Sequence, residues 1–512
     1  MKDTWKIILL CLALPALATA AKTQLPMKIE PHAVKEPRII AQQDRTPEQP
    51  PEPIANPRAR EDFQKGYSAY SQGNYQKACR YLFGYLSQQT PDDIDYEWAE
   101  FFFGISLKKL GFSHAAIDTL AHLVTRKPNQ KIVNYCLELF EQALDTMPLE
   151  REILINRVLC DQEYGFLEGT VSDFVHYYQG VYDWEHGFFD WGSQHFSQIK
   201  VETHYYYKYL YKKALLALHR DQIDEAVSIL KEILRSDGPS RLLKDDVRKT
   251  LARLLYEKDQ FQEADFMYHE IKKSILAQAE NLLERAWAQY RMGNVEKAMG
   301  LLYSFEAPSF RDAFKPEYFI LKSFIYKDVC HYKKAMAVMD GFKSRYGASL
   351  DIIYRRKNPA DNHALMFFLL NKKKINQTWQ FLDLLEREKS ACVQFKDKAL
   401  RAYLEKLYDL QLEQSQHKLK VEIEEEYEKA ADSLLQYEES THLMEYEIGL
   451  DMYKRVYQYH YQEDEQANPD EPTRGLVVYP FQGEFWNDEL ADYQVTLPNK
   501  CRDMEEWDIF FK

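Results

Sequence analysis

Two stretches decide the fold: "GYSAYSQGNYQKACRYL" (66–82) and "GISLKKLGFSHAAIDTL" (104–120). In each, a glycine is followed seven residues later by a second glycine, Gly66 by Gly73 and Gly104 by Gly111. Each second glycine stands five residues before an alanine, Ala78 and Ala116. Both units end near a proline, Pro91 and Pro128. A helix of about fourteen residues that stops at a glycine turn reads this way, because Gly takes the left-handed conformation of a helix exit at no steric cost. The residue after the turn, such as Tyr75, packs into its crook. Three positions on, the alanine is small because a second helix presses there against the first.

The same grammar recurs downstream. It is found in "LLALHRDQIDEAVSIL" ending at Leu230, "LARLLYEKDQFQEADFMY" ending at Tyr268, "ERAWAQYRMGNVEKAMGLL" ending at Leu302 and "KSFIYKDVCHYKKAMAVM" ending at Met339. Ile223, Phe261, Val295 and Tyr332 follow these turns. The anchor alanines are Ala78, Ala116, Ala226, Ala264, Ala298 and Ala335, at spacings of 38, 110, 38, 34 and 37. The long gap holds about three periods. One helix hairpin has apolar faces on both sides and cannot bury both alone, so hairpins with this period stack in a row.

The pattern resembles the tetratricopeptide repeat (TPR) family. The matching residues are Gly66, Gly73, Tyr75 and Ala78; Gly104, Gly111, Ala116 and Pro128; Gly293, Val295 and Ala298; Tyr332 and Ala335. The family's early tryptophan and leucine are mostly missing, and Asp221, Asp259 and Cys330 stand where it has glycine. The resemblance implies an all-α TPR-like solenoid of helix hairpins whose concave face holds peptides or protein segments, and it implies no catalysis.

The rest of the chain is read around that array. Residues 1–20 have the order of a secretory signal: Lys2 and Lys6, the apolar run "IILLCLALPALA", then Ala18-Thr19-Ala20, with cleavage expected after Ala20. An uncleaved signal serving as an anchor is a further reading. Residues 21–58 hold eight of the twenty prolines and no glycine, and read as a disordered spacer. The array then divides into repeats at 59–148, an aromatic-rich divergent region at 149–199 and central repeats at 200–349. Long helices are expected over 350–464, two or three of them between 390 and 460, where glycine and proline almost vanish. Residues 465–512 are a linker and a tail expected to contain two short strands, around Val477, Val478, Tyr479 and Phe481 and in "YQVTL".

Net charge bounds the partners. The chain has 512 residues and a formal charge of −14, which argues against general affinity for nucleic acid. Beyond the signal no segment has eighteen uncharged apolar residues, so a mature chain without a membrane span is expected. Cys79, Cys136, Cys160, Cys330, Cys392 and Cys501 are widely and irregularly spaced. Mostly buried free thiols are expected, with room for one or two bridges in an exported protein.

The stretch "HYYQGVYDWEHGFFDWGSQHF" (176–196) carries the most chemistry. Asp183, Glu185 and Asp190 beside Trp184 and Trp191 would suit a cell-wall glycan-acting enzyme. His176, His186 and His195 with Asp190 are ligand types that zinc accepts, although their spacing fits no finger or helical motif. The plainer reading makes the aromatics the filling of an irregular helical linker. Catalytic, cofactor and metal residues are therefore expected to be absent. The residues expected at a partner surface are Trp184, Trp191, Tyr205, Tyr206, Tyr207 and Tyr209. "VEIEEEYEKAADSLLQYEESTHLMEYE" (421–447) reads as the solvated face of a long helix, or as an acidic docking stripe for a basic partner or divalent cations. Together these features predict a non-enzymatic scaffold binding proteins or peptides of the bacterial cell envelope, in the periplasm.

Overall fold

In the computed structural model the described residues are 57–271, 275–310, 313–459 and 490–501. The expected signal, most of the spacer and the first expected strand lie outside them. The helices, in chain order, are α1 (Pro57–Ser71), α2 (Tyr75–Leu86), α3 (Tyr96–Lys109), α4 (Ser113–Thr125), α5 (Gln130–Thr146), α6 (Gly169–Glu185), α7 (Phe189–Ser197), α8 (His204–His219) and α9 (Ile223–Arg235). They continue as α10 (Arg241–Glu257), α11 (Phe261–His269), α12 (Ile275–Arg291), α13 (Val295–Tyr303), α14 (Glu317–Asp328), α15 (Tyr332–Tyr354), α16 (His363–Leu370), α17 (Lys373–Ala391) and α18 (Lys398–Tyr459).

Seven hairpins are built to one plan: α1/α2, α3/α4, α6/α7, α8/α9, α10/α11, α12/α13 and α14/α15. Each turns on a residue with positive φ: Gly73, Gly111, Gly187, Asp221, Asp259, Gly293 and Cys330. In each, the next amide donates to a carbonyl five residues back, at 2.8–3.0 Å. This bond satisfies a carbonyl that the helix end would leave unpaired. Seven residues before the turn stands a small residue: Gly66, Gly104, Gly180, Ala214, Ala252, Ala286 or Ser323. Five after it stand Ala78, Ala116, Gly192, Ala226, Ala264, Ala298 and Ala335, and all six alanines are 0% exposed.

The reason for the smallness is visible at the crossings. A Cβ on Gly66 would lie 2.7 Å from Leu82, and one on Gly104 would lie 2.8 Å from Leu120. The helices cross too closely for a side chain on either glycine. The 110-residue gap between Ala116 and Ala226 holds the α6/α7 hairpin and one degenerate unit. That unit is α5, then a short helical turn at Arg151–Leu154 that widens into a π turn at Ile155–Leu159.

Behind the array the structure differs from expectation. One helix of 62 residues, about 93 Å long at 1.5 Å per residue, stands where two or three were expected. Its first turns share a core with the opening repeats: Leu404, Tyr408 and Leu412 cluster with Leu82, Phe103 and Phe112. Farther along, Leu434 and Tyr437 meet Ile320, Phe342 and Tyr346, and Met444 and Ile448 meet Ala335 and Met339. So α18 joins the first repeats to the last. Nothing in glycine or proline content distinguishes two helices from one; the single helix keeps a buried stripe against the array from Leu404 to Ile448.

The tail also departs from expectation. No strand occurs among the described residues: 490–492 and 500–501 are turns, and 493–499 has no regular secondary structure. This segment lies over α13 and α14. Val495 N–H donates to the Glu296 carbonyl at 3.2 Å, Lys500 N–H to that of Val329 at 3.2 Å, and the Ser304 hydroxyl to that of Leu490. Its partners are helix ends and turns, which offer no continuous edge for a sheet. A disulfide between Cys330 and Cys501 fastens it, across 171 positions. The four other described cysteines are free: Cys79, Cys136 and Cys392 are buried and Cys160 is half-buried.

Candidate interaction site

The 176–196 stretch is the third hairpin. Gly180, Gly187 and Gly192 repeat the seven-and-five spacing of Gly66, Gly73 and Ala78. The N–H of Phe188 closes the turn on the carbonyl of Asp183 at 2.8 Å. A Cβ on Gly180 would lie 2.8 Å from the Phe196 ring, and Gly192 abuts Trp184. The aromatic residues on the inner side are therefore fillers. Trp184 packs edge-on against Phe196, with ring centroids 4.6 Å apart, and Phe196 stacks on Tyr209 at 4.5 Å.

The acidic residues do not converge. Glu185 pairs with Lys212 at 3.1 Å, Asp190 is exposed in the first turn of α7, and Asp183 alone faces a histidine, 3.7 Å from His195 Nε2. The carboxylate pair of a glycosidase is not assembled. Of the three histidines, His176 and His195 meet, with their Nδ1 atoms 3.2 Å apart. His186 is exposed and turned to the carbonyl of Tyr182 at 2.7 Å. No group of three or more metal-ligating side chains occurs among the described residues. Burial lowers the pKa of both His176 and His195, and the His195 ring further disfavours charge on His176. A hydrogen bond between neutral rings satisfies the contact.

The expected partner residues separate by burial. Tyr205 and Tyr207 are 4% and 5% exposed and belong to the core; the Tyr205 hydroxyl donates to Glu141 at 3.0 Å. They are buried because α8 packs against α6 on one side and α9 on the other. Trp184, Tyr206 and Tyr209 are half-buried. Trp191 is 53% exposed, and it is joined by two residues the sequence reading passed over, Phe188 and Phe189. Phe188 stacks on Trp191 with centroids 5.3 Å apart, and the Arg220 guanidinium lies over Phe189 at 4.8 Å. The glycine spacing was the signal that could have found them. It puts the turn at 187 and these rings at the start of the second helix, outside the crossing.

Successive first helices of the central hairpins carry a ladder of paired polar groups. Tyr211 meets Thr250 at 2.9 Å, Lys249 meets Glu280 at 2.5 Å, and Arg253 reaches Glu280 at 3.0 Å and Glu284 at 2.5 Å. Burial disfavours the Glu280 carboxylate, but Lys315, Lys249 and Arg253 outweigh it and hold its pKa well below the usual range. These charges satisfy one another across neighbouring repeats. They tie the first helices of successive hairpins together.

With this geometry the chain is a TPR-like helical-repeat protein. No family model matches it, and no curated protein matches it. Among solved structures it is similar to a tetratricopeptide repeat protein from Parabacteroides merdae, with 14% identity over 56% of this chain and 93% of that one, at a TM-score of 0.22. It is also similar to the apo form of RapI, with 10% identity over 71% of this chain and 98% of that one, at a TM-score of 0.29. The repeat assignment rests on the seven hairpins and not on these likenesses. No helix among the described residues is long and apolar enough to cross a membrane.

Proposed function

We propose that this chain is a non-enzymatic scaffold that holds other proteins or peptides together in the bacterial cell envelope, on the periplasmic side. The observation that carries the reading is the Phe188, Phe189 and Trp191 patch, displayed at a hairpin turn of a rigid stack. Clustered exposed aromatics on a soluble surface favour protein contact, and Trp is among the residues that most often dominate binding. The disulfide supports export, because such bonds persist in oxidising compartments. The Lys2–Ala20 segment supports the same route.

The test is a crosslinking pull-down from envelope extracts, with the purified chain as bait beside a Phe188→Ser/Trp191→Ser variant. A discrete partner captured by the first and lost by the second is expected. Equal capture by both, or none by either, would contradict the reading.

A further inference from the structure

The long helix α18 buries one apolar stripe and exposes a second. Tyr437, Met444 and Ile448 face the array and are buried. On the opposite side Leu443, Tyr446, Leu450 and Tyr453 follow one another at steps of three, four and three, and are 53%, 66%, 37% and 58% exposed. Such steps set four side chains in a line about 15 Å long, the spacing of a coiled-coil seam. A groove of about 340 Å³ opens at its upper end, lined by Tyr354 of α15 and by Leu435, Glu438, Glu439, His442 and Leu443 of α18.

The charge around the stripe selects the occupant. Residues 421–453 contain eleven carboxylates and one lysine. Some of these acids are spent on the fold: Glu447 pairs with Lys327, and Glu445 with Lys343. Glu428, Asp432 and Glu439 lie on the exposed side, in line with the stripe at helical spacing, and have no ion pair among the described residues. A second copy of this chain laid on the stripe would bring like charges together, which is destabilising. A helix with an apolar seam and flanking lysines or arginines would bury the seam and meet the acids.

We infer that the outer face of α18, from Glu428 to Tyr453, docks an amphipathic helix with basic flanks supplied by another protein. The inference rests on the scaffold reading and names one class of partner for it, at a surface separate from the third hairpin. The helix lies along the stripe as helices lie in grooves elsewhere, by anchors at every third or fourth residue. Its largest side chain enters the groove beside Tyr354. The flanking charges set orientation and make association salt-dependent.

The experiment uses the full mature chain and a labelled synthetic helix with leucine at its seam and lysine at its flanks, read by fluorescence anisotropy. An otherwise identical glutamate-flanked helix is the control. The lysine helix is expected to bind at least tenfold tighter than the glutamate helix, to weaken as salt rises, and to lose at least tenfold on Leu443→Ser/Tyr446→Ser. Both substituted residues are exposed, so thermal stability should be unchanged. The Phe188→Ser/Trp191→Ser variant should bind the helix as the parent does, which separates failure here from failure of the scaffold reading at the third hairpin.

Three results would overturn the inference. One is equal binding of the two helices. Another is undiminished binding by Leu443→Ser/Tyr446→Ser. The last is sedimentation showing a dimer of the parent that the same variant dissolves, which would assign the stripe to a second copy.

Discussion

Gly180 and Phe196 meet across the third hairpin, where a Cβ on the glycine would lie 2.8 Å from the ring and 3.0 Å from the carbonyl of Gly192. The same sixteen-residue relation joins Gly66 to Leu82 and Gly104 to Leu120. Gly180→Ala should therefore destabilise the protein by about 1–3 kcal/mol, the usual cost of overpacking. Gly347→Ala, in α15 with nothing within 4 Å of the added carbon, should gain about 0.5–1 kcal/mol. Urea denaturation of the two variants beside the parent checks the pair of signs.

This relation shows how much of the fold was legible. Glycine seven before glycine and five before alanine was readable wherever the third position held alanine. At 176–196 Gly192 takes that place, and the surrounding histidines, acids and tryptophans drew attention to chemistry. The repeats therefore placed the hairpins, but burial decided which aromatics stay outside. Tyr205, Tyr207 and Tyr209 look alike in sequence, and only the packing of α8 between its neighbours sorts them. The course of α18 was illegible for a related reason. Its two apolar stripes make its pattern nearly the same on every side, so no period pointed to the surface it would choose.

Glu388 of α17 caps a helix far away in the chain. Its carboxylate accepts from the N–H groups of Ser113 and His114, at 2.8 and 3.0 Å, and from the Tyr408 hydroxyl at 2.8 Å. Burial pushes its pKa up although these three donors favour the charge. Glu388→Ala removes the acceptor for the Ser113 and His114 amides at the start of α4 and for the buried Tyr408 hydroxyl of α18, and should cost about 2–4 kcal/mol in chemical denaturation. Glu388→Gln keeps an acceptor and should cost less. Equal stability of Glu388→Ala and the parent would show that the contact contributes nothing.

Glu317 gives the fold a pH dependence. It takes the Tyr437 hydroxyl at 3.4 Å, and burial pushes its pKa up to about 7 against the pull of Lys315. The folded chain thus binds this proton more tightly than the unfolded one, whose carboxyl titrates near the usual 4.5. The stability it contributes is complete below about pH 4.5 and is lost as pH rises through about 7. Glu317→Gln mimics the protonated form. It should match the parent at pH 4.5 and exceed it at pH 8, by up to about 3 kcal/mol. Thermal melts at the two pH values read this difference directly, and a gain confined to the lower pH would have the wrong sign.

Cys330 and Cys501 hold the tail on α13 and α14. Removing the bond by Cys501→Ser should cost about 3–5 kcal/mol where segment 490–501 docks, because a long loop is no longer closed. Faster amide exchange at Val495 and Lys500 would report its release, and reductant should destabilise the parent but not the variant. Gly300→Ala provides a check that leaves the thiols alone, since its added carbon would collide with the Tyr493 carbonyl. It too should speed exchange in the tail.

The central claim is that the exposed rings of the third hairpin hold another protein. A photo-crosslinking side chain at position 191, in cells that make the protein, tests it most directly. The account predicts a discrete adduct of higher mass from position 191 and none from position 339, where Met339 is 0% exposed. Irradiation that yields no adduct at 191, or the same adducts at both positions, would contradict it.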